Sequence, residues 1–138
     1  MDAAKVQLVQ QSFGRCLTNQ QDGKLFFDAF YDEFIASDPR IKPLFAKTDM
    51  AKQKSLLREG MVRLMMFAGG SETAKTSIAR LAVKHDRTNL NIDPALYQFW
   101  LKSLLACAEK YDPKIDPATL AAWSEVLETG IKEMKAAY

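Results

Sequence analysis

The chain is predicted to be all-α, with six or more helices, on three observations. Apolar residues recur at helical spacing along almost the whole sequence. The strict alternation that marks half-buried strands is weak. Asp-Gly, Asp-Pro and Gly-Gly steps interrupt the periodic stretches at intervals that suit helices.

The elements follow in order. A first helix runs from about residue 3 to 18, with Val6, Val9, Phe13, Cys16 and Leu17 on one face. Asp22-Gly23 breaks it. A second runs from about Lys24 to Ser37, with Phe27, Phe30, Tyr31, Phe34 and Ile35 facing inward. Asp38-Pro39 then opens a short turn, since aspartate suits a cap and proline a first helical position. Residues 46–50 are a short connection. A third helix spans about Met50 to Phe67, with Gln53, Leu57, Met61 and Leu64 along one stripe, and Gly69-Gly70-Ser71 ends it. A fourth covers roughly Glu72 to His85 and carries Ile78, Leu81 and His85. Asp93-Pro94 starts a fifth that reaches about Tyr111. Asp116-Pro117 starts a sixth that runs to the C-terminus.

At 138 residues the chain is expected to be a single domain, residues 1–138, long enough to bury a sizeable core. Apolar residues make up 48 % and charged residues 26 %, as in soluble globular proteins. The formal net charge is +2 and its charges are interspersed. With no basic block or aromatic-basic repeat, no nucleic-acid partner is expected. The longest apolar run is far shorter than the ~18 residues of a membrane span, so no membrane association is expected. MDAAKVQ does not read as a secretory leader, and the expected location is cytoplasmic. Cys16 and Cys107 are far apart and form no CxxC, so both are expected to be reduced, buried thiols.

The chemistry centres on His85, the one histidine. Leu81 lies four residues before it, on the same helix face about 6 Å along the axis. A haem site needs only one side-chain metal ligand, because the porphyrin supplies four nitrogens. The Leu81 carbonyl would lie near Nδ1–H and fix the tautomer. Alone, His85 equally fits a hydrogen-bonded core histidine. Gln53 and Leu57 repeat the four-residue spacing on the third helix. They would offer an N–H donor and a dry wall, or simply a solvated glutamine and a core leucine. Tyr31 sits on a buried face among phenylalanines, where a phenol needs a partner. A bound ligand or a backbone carbonyl would serve. Phe45 would stack on a porphyrin or pack in the core. There is no CxxCH, so any haem would lack thioether links.

Taken together, these residues resemble the globin family over essentially the whole chain. FYDEFIASDPRIKPLF, residues 30–45, is similar to the segment of bacterial single-domain globins and flavohaemoglobins with the distal tyrosine, turn proline and family phenylalanine. The resemblance puts Tyr31, Pro39 and Phe45 in those places. In QKSLL, residues 53–57, it puts Gln53 at the ligand-gating position and Leu57 one turn on. In ARLAVKHDR, residues 79–87, it puts His85 at the proximal iron ligand. In IDPALYQFW, residues 92–100, Tyr97 matches a tyrosine near the proximal histidine, and Trp123 matches a tryptophan of the last helix.

The resemblance implies a globin fold of six to eight helices around a haem pocket. It also implies haem b, iron protoporphyrin IX held without covalent links, with His85 as the metal ligand. Phe45, Leu57, Leu81 and Tyr97 would hold the cofactor; Tyr31 and Gln53 would meet the gas. Met61, Leu64, Leu90, Ile92 and Trp100 are expected as lining or as plain core. Lys84 and Arg87 are expected at the propionates or in solvent, and Met65 and Met66 as core filler.

Three features depart from the family pattern. The connection between Phe45 and Gln53 is short, so a small helix common there is expected to be missing. The connection after His85 is slightly long. No acidic residue securely matches the one beside the proximal site of flavohaemoglobins; Glu133 is nearest by position and is not assigned.

The expected partners are O2 and other diatomic gases, NO and CO included. Two donors, Tyr31 and Gln53, imply firm O2 binding and slow release. That favours scavenging or NO dioxygenation over bulk transport. The sequence shows no reductase domain, so electrons would come from a separate protein. The alternative is a gas or redox sensor acting through a separate partner. A monomer and a homodimer both fit.

Overall fold

Short polar side chains set most of the helix starts. The computed structural model describes all 138 residues. It contains α1 (Ala3–Leu17), α2 (Phe26–Ser37), α3 (Met50–Ala68), α4 (Glu72–His85), α5 (Tyr97–Tyr111) and α6 (Pro117–Ala137). Asp2, Asp49, Ser71 and Asp116 each accept a hydrogen bond from a first-turn N–H of α1, α3, α4 and α6. These bonds satisfy donors that a helix leaves free at its start. Asp93 does the same for a 3-10 turn, Pro94–Leu96, that leads into α5.

One boundary differs from the sequence expectation. The second helix begins at Phe26 rather than Lys24. Asp22 and Gly23 both adopt positive φ, and Gln21 and Lys24 exchange backbone hydrogen bonds across the resulting turn. Lys24 therefore belongs to the turn. Asp38-Pro39 opens a short turn, as expected, with the Ile41 N–H donating to the Asp38 carbonyl. The Asp38 carboxylate accepts from the Arg40 N–H and guanidinium, and a 3-10 turn follows at Lys42–Phe45, with Pro43 near its start.

The helices fall into two packed pairs, α3 on α4 and α2 on α5. Helix α6 backs α3, α4 and α5, and α1 packs mainly on α6 and α5. The two pairs hardly touch each other: α2 with α3, α2 with α4, and α4 with α5 share no extended packing. Between α3 and α6 the packing is close. At Gly130 on α6 an added Cβ would lie 2.5 Å from Leu64 Cδ1, so glycine is what lets α3 approach so near.

The core is aromatic where α1, α2, α5 and α6 meet. Phe13 lies edge-on to Phe26, Phe27 and Trp123, and Phe26 lies edge-on to Tyr111. Such edge-to-face pairs add about 0.5–1.5 kcal/mol each beyond area burial. Cys16 and Cys107 are free and buried, and burial pushes their thiols up to about 12 and about 11. Both stay protonated and unreactive at neutral pH. Met65 is in the core as expected, but Met66 is not: it is 44 % exposed. One residue is a 100° step around a helix, so both cannot face α6. No helix is long and apolar enough to cross a membrane.

Candidate functional site

The residues singled out from the sequence fall into two groups, one on α2 and α3 and one on α4 and α5. On one side, α2 carries Tyr31, which is 4 % exposed and lies between the rings of Phe30 and Phe45. Phe45 is half-buried, held edge-on to Tyr31 and Phe34 by the 3-10 turn before α3. Gln53, in the first turns of α3, donates from Nε2 to the Tyr31 hydroxyl oxygen at 3.2 Å. Leu57, one turn further, is half-buried and packs against the core.

The Tyr31–Gln53 bond leaves the phenol half-used. Its oxygen accepts from Gln53, and the hydroxyl donates to no protein group. Burial pushes the phenol up to about 12, against a smaller downward pull from Gln53. Tyr31 therefore keeps its proton at neutral pH and can donate it to a ligand.

On the other side, His85 is the last residue of α4. Its Nδ1 lies 2.8 Å from the Leu81 carbonyl oxygen. A carbonyl only accepts, so Nδ1 carries a proton and donates it, which in the neutral ring puts the lone pair on Nε2. Nε2 has no partner in the protein. His85 and Leu81 are both half-buried. Tyr97, at the start of α5, is half-buried as well, and burial pushes its phenol up to about 12.

The segment after His85 is held at several points. Ile92 N–H donates to the His85 carbonyl, and the Asp86 carboxylate accepts from Thr88 and Asn89. Asn91 adopts φ 51°, where asparagine is tolerated. The Tyr138 hydroxyl donates to Asn91 Oδ1 at 2.6 Å. Arg87 Nε donates to the main-chain oxygen of Tyr138, with the guanidinium 4.7 Å over the tyrosine ring.

Several expected lining residues lie elsewhere. Met61 and Leu64 are core, 1 % and 6 % exposed, and Leu64 faces Gly130. Leu90 sits on the loop after α4 and is 61 % exposed, so it lines nothing in this fold. Ile92 and Trp100 are half-buried; Lys84 and Glu133 are exposed. Arg87 is engaged with Tyr138. Two side chains that the sequence does not single out also belong here. Asp28, one turn before Tyr31, pairs with Lys54, the neighbour of Gln53, at 2.8 Å. Charges that meet only in space leave no spacing signal in the chain.

The donor set suits one metal-bearing cofactor. The second imidazole nitrogen has no protein partner, Phe45, Leu57, Leu81 and Tyr97 are half-buried, and the Tyr31 hydroxyl donates to no protein group. No cluster of three or more His, Cys, Asp or Glu side chains exists to hold a bare metal ion. A group that brings most of its own ligands fits; a protein-built metal cage does not.

The comparisons agree with this chemistry. A family model for globins matches residues 10–134. A crystal structure of a Pseudomonas aeruginosa PAO1 protein, reported as structurally highly homologous to a human haemoglobin, is 41 % identical. The alignment covers 97 % of this chain and 98 % of that one, with a TM-score of 0.89. A search of curated proteins finds no match.

Proposed function

The chain belongs to the globin family, and from that premise we propose that residues 1–138 act as one domain binding O2, NO and CO on non-covalent haem b. Haem supplies a ferrous centre that takes diatomic gases reversibly. The protein supplies the rest. His85 Nε2 is the proposed iron ligand, with its ring and tautomer fixed by the bond from Nδ1 to Leu81. Phe45, Leu57, Leu81 and Tyr97 would hold the macrocycle and keep water out. Tyr31 would donate to the gas, and Gln53 would orient Tyr31 while offering a second N–H.

One observation carries this reading: the buried Tyr31 hydroxyl accepts from Gln53 yet has no acceptor for its own proton. A bound gas with partial negative charge would accept that proton, and a hydrogen bond to a charged group contributes about 1.5–3 kcal/mol. The test is the visible absorption spectrum of the purified protein. A strong Soret band, with haem removed by acid-butanone, is the expected result. A colourless protein that takes up no added haem overturns the proposal.

Firm retention of O2 also suits removal of NO. The balance is NO plus O2 plus one electron to nitrate, with the electron from a separate reductase. Given a flavin- or ferredoxin-type reductase, NO consumption should continue for many cycles. If it stops after one equivalent with every reductase and extract tried, sensing through a partner becomes the better account.

A further inference from the structure

We propose that the Asp28–Lys54 ion pair is a latch on access to the buried Tyr31, and that it sets how fast a gas gets in and out rather than how tightly it is held. This rests on the proposed gas-binding role of Tyr31 and Gln53. Helices α2 and α3 share no extended packing. Two polar links cross between them: the Tyr31–Gln53 hydrogen bond and the Asp28–Lys54 pair. The links are adjacent, because Asp28 stands three residues before Tyr31 and Lys54 directly follows Gln53. Residues three apart share a helix face.

Half-buried Gln53 is hydrogen-bonded to the buried Tyr31 hydroxyl, so it reaches from the partly exposed start of α3 to the phenol. Moving the first turns of α3 away from α2 would uncover the phenol. Met50 and Leu57 anchor the first turns of α3 on the core, and the two polar links are what tie those turns directly to α2. Lys54 and Asp28 are 33 % and 40 % exposed. A pair that exposed is weak and screened by salt. Weakness suits a latch that must open and close on each passage.

The latch has a kinetic signature. Opening speeds association and dissociation alike, so their ratio, the affinity, barely moves. A donor acts otherwise: losing it speeds release and weakens affinity. Lys54→Met should raise both CO association and CO dissociation by about 1.5- to 5-fold. Higher salt should speed the unmodified protein and leave Lys54→Met unchanged. Lys54→Glu should be faster still, because it repels Asp28, and the swap Lys54→Glu/Asp28→Lys should return rates toward the original.

The experiment is flash photolysis and ligand replacement on the haem-loaded protein across ionic strength. Amide hydrogen exchange over residues 50–57 gives a readout that needs no gas. Exchange there should quicken in Lys54→Met and recover in the swap. Equal rates in Lys54→Met and the original protein at every salt concentration would overturn the latch, as would faster release with unchanged association. If the protein carries no haem, the proposed function fails, and unchanged exchange in Lys54→Met would then overturn the latch separately.

Discussion

Two buried tyrosines on neighbouring helices show how the same residue type is used in two ways. Tyr111 closes the end where α1, α5 and α6 meet, and its hydroxyl donates to the Lys24 carbonyl at 3.0 Å. Around it every polar group is matched. Trp123 Nε1 donates to Ser12 Oγ, Ser12 donates to Asp112, and Arg15 makes two hydrogen bonds to the same carboxylate. Tyr31 accepts from Gln53 and donates to no protein group. His85 likewise uses Nδ1 and leaves Nε2. On the proposed function, the saturated groups hold the fold together and the half-used ones are left for a ligand.

Removing the free imidazole nitrogen should be the harshest test of that contrast. His85→Ala deletes the proposed iron ligand, and apolar contacts alone would then hold the cofactor. Most of the haem should be lost, as read from the Soret absorbance per protein after gel filtration. Full retention with an unchanged ferrous spectrum would place the ligand elsewhere.

Tyr31→Phe should come next. Hydrogen bonds to charged groups contribute about 1.5–3 kcal/mol, and about 1.4 kcal/mol is tenfold in rate. Stopped-flow O2 release should quicken about 10- to 100-fold. No change would mean that Tyr31 does not meet the gas.

The closed end answers to acid instead. Burial pushes the Asp112 carboxyl up, but hydrogen bonds from Arg15, Ser12 and the Lys114 N–H outweigh it and hold it at about 2. The carboxylate's ordinary value is 3.8. A value lowered in the folded state means stability present above 3.8 and lost as pH falls from there toward 2. The loss should be about 2 kcal/mol, read from urea unfolding at successive pH values. Asp112→Asn should flatten that segment of the curve. If the slope survives the substitution, another carboxylate carries it.

Much of the fold and of the site is legible in the amino-acid sequence. Helical periodicity and the Asp-Pro, Asp-Gly and Gly-Gly steps mark all six helices because they act within a few residues. The lone histidine on a Leu81-bearing face, with Tyr31, Phe45 and Gln53 upstream, marks the proposed site. Partnership is not legible. Ser12 and Asp112 are 100 residues apart and meet only through folding. No local pattern says that Tyr111 finds a carbonyl while Tyr31 does not. Exposure also escapes periodicity outside helices: Leu90 is as apolar as Leu57, but lies on a loop whose bonds turn it outward. The start of α2 falls later than periodicity implies for a similar reason, since backbone pairing between Gln21 and Lys24 overrides helix propensity.

The smallest effect gives the finest discrimination. Tyr111→Phe removes one hydroxyl and keeps the ring against Phe26. The Lys24 carbonyl loses its donor, and a typical hydrogen bond contributes about 0.5–1.5 kcal/mol net. Lys24 lies on an exposed turn, so water can replace the hydroxyl at that carbonyl, and the cost should fall near the lower end. Urea unfolding should show a modest drop in midpoint with an unchanged slope. The gas site should not notice: O2 release should stay within about twofold, far below the change proposed for Tyr31→Phe. The two variants delete the same atom from the same residue type, at positions 4 % and 0 % exposed. Burial and loss of a hydroxyl are therefore matched, and what differs is whether the proton already had an acceptor. If Tyr111→Phe quickened O2 release as much as Tyr31→Phe, the effect would reflect general loosening of the helices. The free proton of Tyr31 would then have no special part in holding the gas.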